Sequence, residues 1–475
     1  MTREELSQIL TRNNAAIIAP AGHGKTEMIV DIVKQSSGKQ LLLTHTHAGV
    51  DALKKRLDRK KVPHDKYSLS TIAGFCTKWG LAYFNTGNID KSLSPNSKKK
   101  AERDRYYAQF YEGTKVIFSN QWAKEILITS YSGIIVDEYQ DCTLTHHEIF
   151  KELNTFLPVI VLGDPLQGIF AFREPIVDWN NLGYDIVSVD TYPWRWKDSN
   201  PELGEYLAKV RTDLWPTLSG KNCTLNIQPC SGSVSVIDPT SFQPYALLNE
   251  LADYKSVLYI TKWEPQQLDF CKQMPGIFQL DEKQECTDLF NYAKKFDVLS
   301  DSSLALSIIQ FESKCATKVT TELSSYIKHL EDGSFDFGRI KKYTDFGDLL
   351  IKFRDYNKHD AIRAICSWIE KNTEFKFCRK ELHREMLHSV NFAQENGISI
   401  EEAANRIRKD VTLQKRYTDF KFLSSRTLLS KGLEFDCVII DGQSDLTAKE
   451  LYVAMTRAMK KIYIINASST ILLKP

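Results

Sequence analysis

The sequence predicts an α/β protein of two parallel-sheet lobes, the first with a very short insertion and the second with a mainly helical one. Three observations predict it. Short apolar runs of strand length recur early, with helical or loop stretches between them. A second set of such runs returns later, and a long stretch without strand signal interrupts that second set. A chain of 475 residues is also too long for one hydrophobic core, so several domains are expected.

The first set consists of AAIIA at Ala15, LLLT at Leu41, IIV at Ile134, VIVLGD at Val159 and IVSVD at Ile186. Between Phe84 and Gly113 the sequence turns polar, with the loop SLSPNS and then KKKAERDRY, which predicts a small insertion carrying one basic helix. The later set is SVLYI at Ser256, CVIID at Cys437 and KIYIIN at Lys461, apolar enough for burial on both faces. From about residue 288 to 416 the strand signal fades, and Ser399 and Glu402 stand at capping-box spacing ahead of a helical run. The expected boundaries are a first lobe over 1–195, a second lobe over 196–287 and 417–475, and a helical insertion over 288–416.

Composition excludes some classes of function. No apolar run is long enough to span a bilayer, and the first residues carry no basic stretch followed by an apolar core, so the cytoplasm is the expected compartment. The ten cysteines are scattered singly without a CxxC pair, which argues against structural zinc and against a disulfide framework. A formal net charge of +2 is too small to attract nucleic acid through the field of the whole molecule, so any such contact must be a local groove. The clusters Lys98 to Lys100 with Arg103 and Arg105, and Arg406 to Lys409 with Lys415 and Arg416, read first as solvated helix faces and second as contacts for duplex phosphates.

The strongest motif is APAGHGKT, Ala19 to Thr26, between a buried strand and the helical run EMIVDIV. Gly22 and Gly24 would let backbone N–H groups close around phosphates, with Ala21 and His23 completing the loop. Lys25 would reach the outer phosphates of ATP, and Thr26 would offer its hydroxyl to Mg2+. The usual first glycine is Ala19 here. A second motif, IIVDEYQD, ends an apolar strand at Asp137 and Glu138, where ligands of such sheets bind. Asp137 is the candidate for holding magnesium, and Glu138 for orienting and deprotonating an attacking water.

IIVDEYQD, then VIVLGDPLQGIFAFR, SKGLEFDCVIIDG and ELYVAMTRA, in that order and spacing, resemble the UvrD/Rep/PcrA helicases of superfamily 1. The resemblance implies two RecA-like lobes with ATP hydrolysed at their interface, and DNA translocation that runs 3′ to 5′. It implies that Gln167 senses the terminal phosphate and that Arg195 and Arg457 reach it from the second lobe. Trp194 stands where the family stacks an aromatic on adenine and Glu434 where a carboxylate meets the ribose. Gln8 stands for the adenine-reading glutamine, at a shorter spacing to Lys25 than the family's. Single-stranded DNA would be held at THTHAG and TIAGFC, through Thr44, His45 and Thr71, and by Phe170 and Phe172, whose faces can stack on any base. An isolated FxF is otherwise a core pair. His45 replaces the family's phenylalanine, and Leu428 stands for its usual histidine.

The very short first insertion raises the prospect of little unwinding without a partner. The competing reading is a regulatory or nucleotide-sensing ATPase that controls a nuclease or other effector, and stimulation of turnover by single-stranded DNA separates the two. The chain also resembles, in size and trimming, small helicases encoded beside nucleases in bacterial anti-phage systems such as Gabija, which implies a role in antiviral defence.

Overall fold

In the computed structural model, which describes residues 1–90, 92, 100–170, 174–230, 232–282, 286–413 and 420–475, the early apolar runs pair into one sheet of six strands. These are β1 (Asn14–Ile18), β2 (Gln40–Thr44), β3 (Tyr67–Thr71), β4 (Gly133–Val136), β5 (Val159–Gly163) and β6 (Ile186–Val187). Their order is β3-β2-β4-β5-β1-β6, and every neighbouring pair is parallel. Strands β2, β4 and β5 are buried along their whole length, as near-continuous apolar runs require when helices cover both faces. The edge strand β3 has no apolar run to announce it, because Ser68 and Ser70 alternate with Leu69 at the partly exposed sheet edge.

This order decides where chemistry can sit. Strand β5 lies between β4 and β1, with Ile18 opposite Gly163 and Val136 opposite Val161. The residues following β1, β4 and β5 therefore emerge side by side at the carboxyl edge, where ligands of open parallel sheets bind.

Strand β7 (Cys223–Asn226) pairs antiparallel with β14 (Thr470–Leu473). The second six-stranded sheet contains β8 (Val234–Ile237), β9 (Val257–Thr261), β10 (Gln279–Leu280), β11 (Phe422–Arg426), β12 (Phe435–Asp441) and β13 (Ala458–Ile465), in the order β10-β11-β9-β12-β13-β8. The pairings of β10 with β11, β11 with β9 and β9 with β12 are parallel. Two of its strands, β10 and β11, flank the helical insertion and carry no long apolar run; β11 reads FLSSR.

Two compact units result, Met1–Val234 with Leu446–Lys460 and Thr470–Pro475, and Ser235–Asp445 with Lys461–Ser469. The apolar pattern alone places all of 417–475 in the second lobe. Leu446–Lys460 groups with the first sheet because its backbone is held there. Arg195 donates to the Thr456 carbonyl at 2.6 Å, Trp196 Nε1 to the Ala458 carbonyl at 2.7 Å and Asn200 to the Lys460 carbonyl at 2.7 Å. Helix Ala448–Met455 buries Leu451, Tyr452 and Met455.

In the first insertion a helix runs over Lys100–Phe118, longer than the short basic helix expected, with Tyr106 and Phe110 buried beside Ile89. Most of the SLSPNS loop, Lys98, Lys99, Phe172, Lys415 and Arg416 lie outside the described residues. The second insertion is mainly helical in its described part, from Thr287–Val298 to Ile400–Leu413, around a core containing Phe296, Ile308, Phe311 and Met386. Ser399 does cap its last helix, accepting from the Glu402 N–H at 3.1 Å, while Asp297 accepts from the N–H groups of Ile400 and Glu401 at 2.8 and 2.9 Å. Glu402 itself pairs with Arg406 at 2.6 Å.

Within this block His383 is fully buried, with Nδ1 2.9 Å from a Glu312 carboxylate oxygen and Nε2 3.6 Å from Glu370. Burial by itself would lower the imidazole pKa, but the bond to Glu312 and the charges of Glu312 and Glu370 outweigh it, so the net shift is upward. A raised folded-state value means that the pair's contribution is complete below the unfolded value of about 6.5 and is lost as pH rises through the folded one. Replacing His383 by Gln is expected to cost roughly 3–5 kcal/mol near pH 6 and progressively less toward pH 9. Urea unfolding of both proteins at the two pH values measures this, and a pH-independent difference would show that the ring is neutral in the fold.

Candidate functional site

Strand β1 delivers the chain to Ala19, and helix Lys25–Gln35 resumes it at Lys25. Between them Gly22 and Gly24 adopt φ of +71° and +87°, a backbone region that a side chain would strain. A Cβ on Gly22 would also fall 2.8 Å from both Arg195 Cβ and Trp196 Cζ3. The loop is therefore shaped by what packs on it as well as by its own sequence. His23 is buried, with Nδ1 2.7 Å from the Ala21 carbonyl and its ring edge-on to Trp196, and burial lowers its pKa. No side chain caps the helix at Gly24, and its N-terminal amides and dipole suit an anion.

Lys25 faces the second motif. Its Nζ lies 3.0 Å from Glu138 Oε1. Burial would lower the Lys25 pKa, but the charges of Glu138, Asp137 and Asp164 raise it on balance. Asp137 is buried and its carboxyl is pushed up to about 7, by burial first and then by the Glu138 charge, against the lowering by Lys25 and by the Glu138 N–H at 2.9 Å. Glu138 occupies the left-handed region with φ +54°, a strain of order 1–3 kcal/mol for a residue with a side chain. Its carboxylate also accepts from Gln140 Nε2. The other end of that amide, Gln140 Oε1, accepts from the Asp164 N–H at 3.0 Å.

Asp164 follows β5 and is wholly buried. Its Oδ2 accepts from the Ala21 N–H and from Gln167 Nε2, both at 3.1 Å. Its Oδ1 accepts from the Leu166 N–H and from Arg211, both at 3.4 Å, and the Tyr452 hydroxyl also bonds to the carboxylate. Gln167 Oε1 accepts from Arg457 at 3.3 Å. Arg457 is buried, with further N–H groups directed to the Val453 carbonyl at 2.9 Å and Thr456 Oγ1 at 3.1 Å. Lys25, Asp137, Glu138, Gln167, Arg195 and Arg457 thus belong to one compact unit.

Thr26 occupies the first turn of the loop's helix and is partly buried. Trp194 is 56% exposed, edge-on to Tyr192 and with Lys197 over its ring at 4.9 Å, and a Cβ on Gly24 would sit 3.1 Å from its Cδ1. Gln8 lies on the exposed side of helix Arg3–Leu10. Glu434 is exposed, immediately before β12 in the second unit. Among the candidate DNA contacts, Thr44 and Thr71 are buried at the carboxyl ends of β2 and β3, and Thr71 spends its hydroxyl capping a helix through the Gly74 N–H. His45 is half-buried, 3.4 Å from Cys142 Sγ, with its ring 5.7 Å from that of His146. Phe170 is half-buried.

Sequence reasoning alone does not find Asp164, Gln140, Tyr452, Arg211 and Trp196. The first two have a readable signal, a carboxylate directly after an apolar strand and an amide two residues past the acidic pair. The others act only through contacts with residues remote in the chain.

The donors present suit magnesium. Asp137, Glu138 and Thr26 offer hard oxygen atoms, and a carboxyl pushed upward by burial and then by its acidic neighbour is a position that a divalent cation relieves. Among the described residues there is no group of three or more His, Cys, Asp or Glu that could hold a metal ion. No helix among the described residues is long and apolar enough to cross a membrane.

Two family models match the chain, an AAA domain over residues 2–173 and a UvrD-like helicase C-terminal domain over 429–465. The RecBCD enzyme subunit RecB of Buchnera aphidicola subsp. Schizaphis graminum is 28% identical over 105 residues, which are 21% of this chain and 8% of that protein. An arterivirus nonstructural protein 10 (helicase) in complex with DNA covers 98% of this chain and 62% of its own at 10% identity, with a TM-score of 0.35. The PRRSV helicase covers 98% and 54% at 10% identity, with a TM-score of 0.31. These two likenesses are too slight to bear on the fold, and the chain spans under a tenth of its curated relative's length. The chain is thus similar to an AAA domain at its front, to a UvrD-like helicase C-terminal domain behind it and, over a short stretch, to RecB, and these likenesses support a UvrD-like helicase of superfamily 1.

Proposed function

We propose that this protein hydrolyses ATP to drive movement along single-stranded DNA in the 3′ to 5′ direction. The observation that carries the reading is the convergence, within one compact unit, of a phosphate loop with Lys25, a carboxylate pair, and a glutamine bonded to a buried arginine. Phosphoryl transfer needs little covalent help from a protein; it needs positioning and positive charge on the transferring group. Lys25 would leave Glu138 for the outer phosphates, freeing that carboxylate to orient and deprotonate the attacking water. Gln167 and Arg457 would meet the terminal phosphate, and Arg195 would add a second guanidinium. Thr26 and Asp137 would hold Mg2+, which supplies further positive charge to the phosphates. Trp194, exposed beside the loop, offers a face for adenine.

The arginine's mounting suggests how turnover is transmitted. Arg457 bonds to Val453 and Thr456 at the end of its own helix, so loss of the terminal phosphate would be felt by that helix as well as by the side chain. For the strand itself, Thr44, His45, Thr71 and Phe170 are the candidate contacts. The imidazole suits phosphate or sugar and phenylalanine suits a base, whereas the Thr71 hydroxyl is already engaged in capping its helix.

A second reading is a regulatory subunit whose nucleotide cycle controls a partner effector such as a nuclease. The likeness to RecB, named as a subunit of the RecBCD enzyme, favours keeping it.

Lys25→Ala and Glu138→Gln are each expected to lower phosphate release by about a thousandfold or more while leaving affinity for an oligonucleotide within about threefold. Parental turnover in either variant would refute the site. Addition of short single-stranded DNA should raise the wild-type rate about tenfold or more if strand movement is the output; a rate indifferent to DNA would instead favour the regulatory reading. Polarity is tested on tailed duplexes, where displacement is expected from 3′ overhangs, and displacement confined to 5′ overhangs would reverse the assignment.

A further inference from the structure

We infer that Asp164 is a positioning residue for ATP hydrolysis, its carboxylate deciding which end of the Gln167 amide faces Arg457 while fastening the phosphate loop to the same point. This deepens the proposed ATPase and rests on that reading. An ionised carboxylate only accepts hydrogen bonds, so the Gln167 amide can meet Asp164 only through its nitrogen, and does so at 3.1 Å. Oε1 is thereby turned the other way, where it accepts from Arg457 at 3.3 Å. The reversed amide would set its NH2 against a guanidinium, two donors face to face. One buried charge thus selects the orientation in which glutamine and arginine are complementary.

The same carboxylate accepts from the Ala21 N–H in the phosphate loop, from Arg211 and from Tyr452, the last on the helix that ends beside Arg457. Three segments that must agree in position for hydrolysis share one anchor. Arg211 supplies the positive charge that a wholly buried anion requires.

Asp164→Asn keeps the shape, removes the charge and replaces one acceptor oxygen by an NH2 donor. The NH2 of the introduced amide must face one of the donors now on the carboxylate. The Gln167 amide, which can flip, yields most readily by turning its oxygen to that NH2 and its own nitrogen to Arg457. We expect kcat for ATP to fall by about tenfold to a hundredfold, with KM and the dissociation constant of a fluorescent ATP analogue held within about threefold. If Asp164 acts mainly through Gln167, then Asp164→Asn will cost no more than about threefold in a Gln167→Ala background, the remainder being its hold on the loop. Losses that multiply in the double variant, or a kcat at the parental level, would overturn the inference. Should Asp164→Asn fail to fold, Tyr452→Phe removes one donor from the carboxylate and keeps the ring; it is held to the same criterion, with about a threefold loss of kcat that vanishes when Gln167 is replaced by alanine. Wild type and Lys25→Ala run in the same assay separate the two levels: equal rates for that pair overturn the ATPase reading, whereas a large difference between them with an unaffected Asp164→Asn overturns the positioning role alone.

Discussion

A negative charge withdrawn entirely from water, on Asp164, is the constraint that organises the polar part of the first unit. Isolated in an apolar interior, such a charge would cost several kcal/mol, so the fold must bring donors to it. The donors it brings are the Ala21 and Leu166 backbone N–H groups, the Gln167 amide, the Arg211 guanidinium and the Tyr452 hydroxyl. They come from separate segments of the chain. Satisfying one carboxylate therefore fixes the phosphate loop, the glutamine after β5 and the helix leading to Arg457 against one another.

Beside it stands an arrangement with the opposite character, in which charges are left under-compensated. Lys25 faces three acids, Glu138, Asp137 and Asp164, and their charges raise its pKa despite full burial. Asp137 meanwhile is raised to about 7 because burial and the Glu138 charge outweigh the share of Lys25 and the Glu138 N–H in its favour. A polyphosphate with a divalent cation would draw Lys25 away from the acids and give Asp137 the positive charge it lacks. Perturbed groups of this kind mark functional sites more often than structural ones. The left-handed backbone at Glu138 belongs to the same pattern, since strain is retained where a side chain must be aimed.

What can be read from the sequence is whatever is decided locally. The phosphate loop is specified by residues adjacent to one another, and so is the acidic pair, because a buried strand followed by charge can end only at a sheet's edge. Strand β3 goes unseen because alternating serines at a sheet edge lack an apolar run, and β11 because FLSSR is half polar. The grouping of Leu446–Lys460 with the first unit cannot be read at all, since it is set by Arg195, Trp196 and Asn200 bonding to carbonyls some 260 residues further along the chain. Backbone carbonyls carry no sequence signature. Tyr452 and Arg211 are hidden for the same reason, each being ordinary except for the carboxylate it meets.

A charge run says little by itself about the partners its residues take. The basic stretch beginning at Arg406 reads from sequence as a solvated face or a surface for duplex phosphates. In the fold Arg406 pairs with Glu402, and Arg408 is buried against Glu385, so neither guanidinium projects as an unopposed positive charge. The neighbouring Arg379, bonded to Glu282 and Asp288, is likewise committed to the helical block. Recruiting either buried arginine to a phosphate would expose a carboxylate partner at a cost of about 3–5 kcal/mol, more than a single phosphate contact returns at physiological salt. Under the proposed reading, with net charge near neutrality and these arginines holding helices together, strand recognition would rest on groups that bind without a strong field, such as the His45 ring and aromatic faces. Such contacts are individually weak and indifferent to base identity, which is what repeated release and re-engagement of a strand demands.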